Sequence, residues 1–276
     1  MSANSHHHRA TVRGSLYYAA AGNRPLFAYA YPPHGTEETN IEFVEHVVEI
    51  RDVRQSHRPL RLEVEGASVL QHRSAVHSFY DEEELRRIGY PETADLVRSV
   101  TGAADVIVFD HNIRGRVGPP KALAAGDVKG PVFHIHTDFS GKAARARAGA
   151  VLGRDPARGQ RMAAINVWRP IAEPLRDCPL AICDASSVDE RDLVEADLLY
   201  PNRTGQIYYV TYNPAHRWYY ASDMRTDEAW IFKNYDTATD GRARFTPHTA
   251  FVDTTHHPVV APRESVEFRT FAFFND

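Results

Sequence analysis

A short apolar run, Pro131-Val132-Phe133-His134-Ile135-His136-Thr137-Asp138-Phe139-Ser140, carries an imidazole and a carboxylate two residues apart near its end. On an extended strand residues i and i+2 face the same way, so His136 and Asp138 are aimed at one point. A carboxylate on a strand of core type needs a partner or a metal. One further histidine would complete the two-histidine, one-carboxylate facial set that suits non-haem iron(II) and leaves coordination positions open. The chain holds 15 histidines, so rivals exist. His248, in Phe245-Thr246-Pro247-His248-Thr249-Ala250-Phe251, enters a strand after a proline and is the preferred third ligand. His216, His256 and His257 sit in turn-like surroundings and remain alternatives. His134 shares the face of His136 but lies roughly 7 Å back along the strand, and reads as a wall histidine.

A second constellation follows downstream, Arg263-Glu264-Ser265-Val266-Glu267-Phe268-Arg269. Alternation puts Arg263, Ser265, Glu267 and Arg269 on one face and Val266 and Phe268 on the other. Two like charges fit an interior wall only where an anion neutralises them; the competing reading is a solvent-exposed edge strand. A dicarboxylic 2-oxo acid such as 2-oxoglutarate would be that anion, because the guanidinium fork grips a carboxylate at two points. Arg263 and Arg269 lie about 20 Å apart on an extended strand, so one ligand reaches both only if the strand bends.

These groups must be held by strands. Segments rich in Val, Tyr, Phe and Ile and punctuated by Pro, Gly and Asn predict strands at Ser15–Ala20, Leu26–Tyr31, Phe43–Val53, Leu60–Glu65 and Val69–Val76. More are expected at Val106–Phe109, Met162–Trp168, Leu180–Cys183, Gln206–Tyr212, Trp218–Ala221, Trp230–Tyr235, Thr249–Val252 and Ser265–Phe274. Helical patterns begin at Tyr80-Asp81-Glu82-Glu83-Glu84-Leu85 and at Pro91, and an Ala- and Arg-rich helix runs over Ser140–Leu152 with Ser140 as its cap. The pattern predicts a mainly β fold, a double-stranded β-helix or jelly-roll core with flanking α-helices. Residues 1–12 form a tail, and 13–276 one domain with a helical insertion around 81–102.

The bulk numbers narrow the class. The 276 residues suffice for a full core, with 43% hydrophobic and 25% charged residues and a formal net charge of −4. That balance argues against a nucleic-acid or membrane-surface partner. Two cysteines, Cys178 and Cys183, are too few for a disulfide scaffold and point to a reducing, cytoplasmic setting. No apolar run is long enough to span a bilayer.

Taken with Asn166-Val167-Trp168-Arg169-Pro170-Ile171, His216-Arg217-Trp218-Tyr219-Tyr220 and Phe232-Lys233-Asn234-Tyr235-Asp236, the two constellations resemble one group of enzymes. These are the non-haem iron oxygenases that include the bacterial 7-alpha-cephem-methoxylase component, the fungal gibberellin desaturase and the meroterpenoid oxygenases. The resemblance runs from about Val106 onward and more loosely over the N-terminal strands. It implies Fe(II), 2-oxoglutarate and O2 as cofactors, and oxidation of an unactivated C–H bond in a small secondary metabolite, with release of succinate and CO2. Hydroxylation, desaturation and ring formation all occur in the group. Carried over, His136, Asp138 and His248 would bind iron, and Arg263, Arg269 and Ser265 the cosubstrate. Phe139, Asn166, Trp168 and Arg169 flank the metal strand in such a fold and are the expected substrate contacts; Tyr80, His111 and Arg114 are looser ones. Two alternatives stand beside this reading: a jelly-roll iron oxidase that does not use 2-oxoglutarate, and a non-enzymatic jelly-roll binding module.

Overall fold

The computed structural model describes residues 10–20, 22, 25–32, 38–115, 130–157, 159–253 and 261–275. Most of the expected N-terminal tail, together with His256 and His257, lies outside the described residues. Among them, fifteen strands run in chain order as β1 (Thr11–Ala19), β2 (Leu26–Tyr29), β3 (Phe43–Asp52), β4 (Ala67–Gln71) and β5 (Asp105–Gly115). There follow β6 (His136–Thr137), β7 (Met162–Pro170), β8 (Leu180–Cys183), β9 (Leu193–Tyr200) and β10 (Arg203–Val210). The last five are β11 (Trp218–Tyr220), β12 (Glu228–Asp236), β13 (His248–Ala250), β14 (Val252–Asp253) and β15 (Glu264–Phe273).

They form two sheets, a larger one in the order β14-β1-β3-β11-β8-β13-β6-β10-β9-β2 and a smaller one in the order β4-β12-β7-β15-β5. This is the jelly-roll expected from the sequence. The sheets meet over an apolar layer that includes Trp168, Leu180, Ile182, Trp230 and Phe232. All nine residues of β7 and all nine of β12 are buried. Strands covered on both faces carry apolar residues without alternation, as Met162-Ala163-Ala164-Ile165 does.

One helical segment covers the outer face of the smaller sheet. Asp81 caps the short α1 (Glu82–Glu84), one wider turn spans Leu85–Gly89, and the chain continues into α2 (Tyr90–Thr101). The two helical patterns of the sequence are thus one helix. Val97 of α2 packs on Val167 and Ala272, and Leu85 packs on Val266 and Phe268. The outward half of the β15 alternation is therefore core. α3 (Gly141–Leu152) starts at Ser140, whose hydroxyl accepts from the Ala143 amide, and stops at the left-handed Gly153.

Some elements differ from the sequence reading. The strand expected at Val69–Val76 runs over Ala67–Gln71 and ends before His72. Leu60–Glu65 is a turn, because the Glu65 carboxylate accepts from the Arg61 amide and from Arg58 and folds the segment on itself. β9 was not anticipated in Leu193-Val194-Glu195-Ala196-Asp197-Leu198-Leu199-Tyr200; pairing with β10 and β2 fixes it as a strand. One turn bears on the site. Gly66 has φ +83°, and a Cβ there would collide with the Thr246 hydroxyl that donates to its carbonyl. Thr246 in turn offers its own carbonyl to His248.

Candidate metal centre and cosubstrate pocket

β6 and β13 are antiparallel neighbours, and His136 and His248 are directly opposite each other in register. Their ring centroids are 4.5 Å apart. Each ring is tied by the same device. His136 Nδ1 lies 2.8 Å from the His134 carbonyl and His248 Nδ1 lies 3.1 Å from the Thr246 carbonyl. A carbonyl can only accept, so the proton sits on Nδ1 and the Nε2 lone pair is left for a metal. Asp138 follows the same logic. Its amide donates to Asn234 Oδ1 at 2.8 Å, which fixes the backbone after β6. Its Oδ2 accepts from Asn166 Nδ2 at 2.8 Å and from Arg269 Nε at 3.0 Å. Oδ1 is left facing His136 Nε2 at 3.6 Å.

One ligand atom from each of His136, Asp138 and His248 lies within 4.8 Å of the others. Two neutral nitrogens and one carboxylate oxygen, each with its other side occupied by protein, fit iron(II) on donor chemistry. Burial and the neighbouring His136 push His248 down to about 3, which keeps it an uncharged donor. Burial alone would raise Asp138; the Arg269 guanidinium, together with the neighbouring imidazoles of His136 and His248, outweighs it and holds the carboxyl well below its usual range.

Arg269 itself sits among three carboxylates. Besides Asp138 it reaches Glu267 Oε1 at 3.2 Å through Nη2 and Asp110 Oδ2 at 3.4 Å through Nη1. The Asn112 amide, turned so that its oxygen faces the guanidinium, accepts at 2.6 and 3.2 Å. With these partners it anchors the Asp138 carboxylate.

Arg263 lies deeper, 3% exposed. Its Nε donates to Ser265 Oγ at 3.0 Å, its Nη1 to the Cys178 carbonyl at 2.7 Å, and its backbone N–H to Asp177 Oδ2 at 3.0 Å. The guanidinium stands 5.1 Å from the Trp168 ring centroid. It shares with His136 and His248 a pocket of about 330 Å³, mouth included, whose walls also hold Arg114, Trp168, Glu267 and Arg269. The Trp168 Nε1 donor in that wall is buried with no acceptor among the described residues. A buried N–H without a partner is costly, and an oxygen-rich ligand in the pocket would relieve it.

The four residues expected to touch substrate divide. Phe139 follows Asp138 and packs against Phe271 and Phe109 at 5.9 and 6.5 Å between centroids. Asn166 is engaged by Asp138, and Trp168 lines the pocket. Arg169 is not brought there. It alternates to the opposite face of β7, where its Nη2 lies 2.6 Å from His72 Nδ1 and 2.8 Å from the His72 carbonyl. Among the looser residues only Arg114 reaches the pocket. Tyr80 bonds Glu264, and His111 Nε2 faces Glu82 at 3.2 Å. His216, the described rival ligand, pairs with Asp192 at 3.1 Å. Asn234 and Glu267 were given no role by sequence reasoning, although Glu267 shares the parity of the arginine face.

Burial also makes the metal-free protein sensitive to acid. His134, His216 and His248 are all lowered from the ordinary 6.5, chiefly by burial. The unfolded chain therefore binds more protons than the folded one below pH 6.5, and stability falls as pH falls through that window. Asp138, depressed in the fold, acts in the same direction at lower pH. His248 alone should cost about 2 kcal/mol at pH 5, at 1.36 kcal/mol per unit. Denaturant midpoints of chelator-treated protein should drop between pH 7 and 5; a flat profile would contradict the buried, neutral imidazoles.

Comparison with known proteins places this geometry. A family model described as the YDMC oxidoreductase/YMDC permease-like domain matches residues 16–273. The hydroxylase/desaturase efuI of Hormonema carpetanum is 31% identical over 88% of this chain and 89% of its own length. The alpha-ketoglutarate-dependent dioxygenase phiK of a fungal species is 34% identical, covering 82% of this chain and 83% of the relative. The chain belongs to the Fe(II)/2-oxoglutarate-dependent oxygenases. Among solved structures of that family, the iron and alpha-ketoglutarate-dependent endoperoxidase NvfI superposes with a TM-score of 0.85 at 25% identity, over 97% of this chain and 100% of that one. The NvfI sequence of Aspergillus novofumigatus is 28% identical over 92% of each chain. Enzymes of this kind act on small molecules. No helix among the described residues is long and apolar enough to cross a membrane.

Proposed function

We propose that this oxygenase binds Fe(II) through His136 Nε2, Asp138 Oδ1 and His248 Nε2 and oxidises a C–H bond of a small secondary metabolite. The observation that carries the reading is the tethering of the far side of all three ligands, which leaves three donor atoms converging on one point. When bound, the metal with 2-oxoglutarate and O2 supplies the oxidising chemistry, with succinate and CO2 as by-products.

The chain's own part is placement. The His134 and Thr246 carbonyls orient the imidazoles, and Arg269 with Asn166 orients the carboxylate. Arg263, steadied by Ser265 and the Cys178 carbonyl, is assigned the distal carboxylate of 2-oxoglutarate. Trp168 and Leu180 wall the pocket against water. Phe139, half-buried beside Asp138, is assigned to the substrate side. Cys178 and Cys183 are both thiols, which supports a reducing, cytoplasmic setting.

The test is conversion of 2-oxoglutarate to succinate by purified protein, with and without Fe(II), alongside His136→Ala. Succinate formed only with Fe(II) and only by the unaltered chain is expected. Oxidation of a substrate without succinate would favour an oxidase that makes no use of the keto acid. Failure to retain iron would favour a binding module.

A further inference from the structure

We infer that Arg114 is a second guanidinium for the distal carboxylate of 2-oxoglutarate, acting beside Arg263. The inference rests on the cosubstrate reading above. β5 pairs with β15 so that Arg114 stands opposite Ser265, the residue whose hydroxyl accepts from Arg263 Nε. Directly paired residues of neighbouring strands put their side chains on one face. Arg114 and Arg263 accordingly line the same pocket, whose walls also hold Trp168, Glu267, His136 and His248.

Their mutual proximity has an electrostatic signature. Burial, and then the charge of Arg114, bring Arg263 down to about 10, and burial lowers Arg114 as well. Two like charges in a poorly solvated pocket are unfavourable unless anions answer them. Arg269 is already answered by Asp138, Glu267 and Asp110, so the guanidiniums of Arg114 and Arg263 are the positive charges of the pocket wall that an incoming carboxylate would meet.

Anchoring supports a division of labour. Arg263 is fixed by Ser265, Cys178 and Asp177. Arg114 is tied by Nη1 to the carbonyl of Gly130 at 3.0 Å, on the segment that leads into the metal strand. A carboxylate held between them would be gripped from β5 and from the residue that leads into β15 together.

The test compares two keto acids that differ only at the far end, 2-oxoglutarate and 2-oxopentanoate. Binding to Mn(II)-loaded protein without oxygen is followed by intrinsic fluorescence, for the unaltered chain, Arg114→Gln and Arg114→Lys. The unaltered chain should favour 2-oxoglutarate strongly. Arg114→Gln should weaken 2-oxoglutarate about tenfold, the loss expected of one charge-assisted contact, and leave 2-oxopentanoate unchanged; Arg114→Lys should recover part of the loss. A 2-oxoglutarate affinity within twofold of the unaltered chain, or an equal loss for both acids, would overturn the assignment of Arg114 alone. No preference in the unaltered chain would overturn the cosubstrate reading with it. Melting of each variant without keto acid separates misfolding from lost recognition.

Discussion

Asp138→Asn should yield a folded protein that no longer holds iron and no longer turns over. The substitution keeps the shape of the side chain and reverses its logic. Oδ2 faces two donors, Asn166 Nδ2 and Arg269 Nε, at 2.8 and 3.0 Å. An asparagine must turn its amide oxygen to them, because an NH2 there would meet donors head-on. The NH2 group is then left facing His136 and His248, and it has no lone pair to give. Loss of iron affinity should exceed the roughly 100-fold seen when only an outer partner of a ligand is removed. Stability should change less, since Arg269 keeps Glu267, Asp110 and Asn112 as partners. Metal content after gel filtration, with a denaturant titration of the same sample, checks both halves. Iron retained at near-stoichiometric level would show that Asp138 is not a ligand.

Arg263→Gln is expected to raise the KM for 2-oxoglutarate about 100-fold while the KM for the organic substrate moves by no more than a few-fold. Removing one partner of a buried charge pair costs about 3 kcal/mol, and each 1.4 kcal/mol is a factor of ten. The backbone contact to Asp177 survives the change, so the loop at 177–178 stays in place. Initial rates at varied 2-oxoglutarate and fixed substrate, then the converse, separate the two constants. Equal rises in both would mean that Arg263 supports the pocket generally and does not read the keto acid.

The strands and the convergence of His136, Asp138 and His248 were legible because both follow local rules. The His136/Asp138 parity, the proline before His248 and the alternation of β15 each need only a few residues. What lay beyond reach depends on pairing. Arg169 follows Trp168 by one position, and only the covering of β7 by the helical segment on one face and the second sheet on the other decides that Arg169 points away. Arg269 shares the arginine face and is expected from it to contact the cosubstrate, yet its partners Asp110 and Asn112 come from β5, and no local pattern announces that register. Asn234 is similar: one amide inside a buried run becomes the acceptor for Asp138 only through strand order. Turn chemistry explains the miss at Leu60–Glu65, where a buried glutamate closes a loop on its own backbone.

The in-register pairing of His136 with His248 has a consequence for biogenesis. His136 and His248, two of the three converging side chains, come from strands that are adjacent in space and distant along the chain, so a polypeptide that ends before residue 248 cannot assemble the cluster. Assembly of the cluster must therefore follow correct threading of β13 against β6. A slip of a single residue between those two strands would turn one imidazole to the far side of the sheet, so metal uptake doubles as proof that the topology has closed properly.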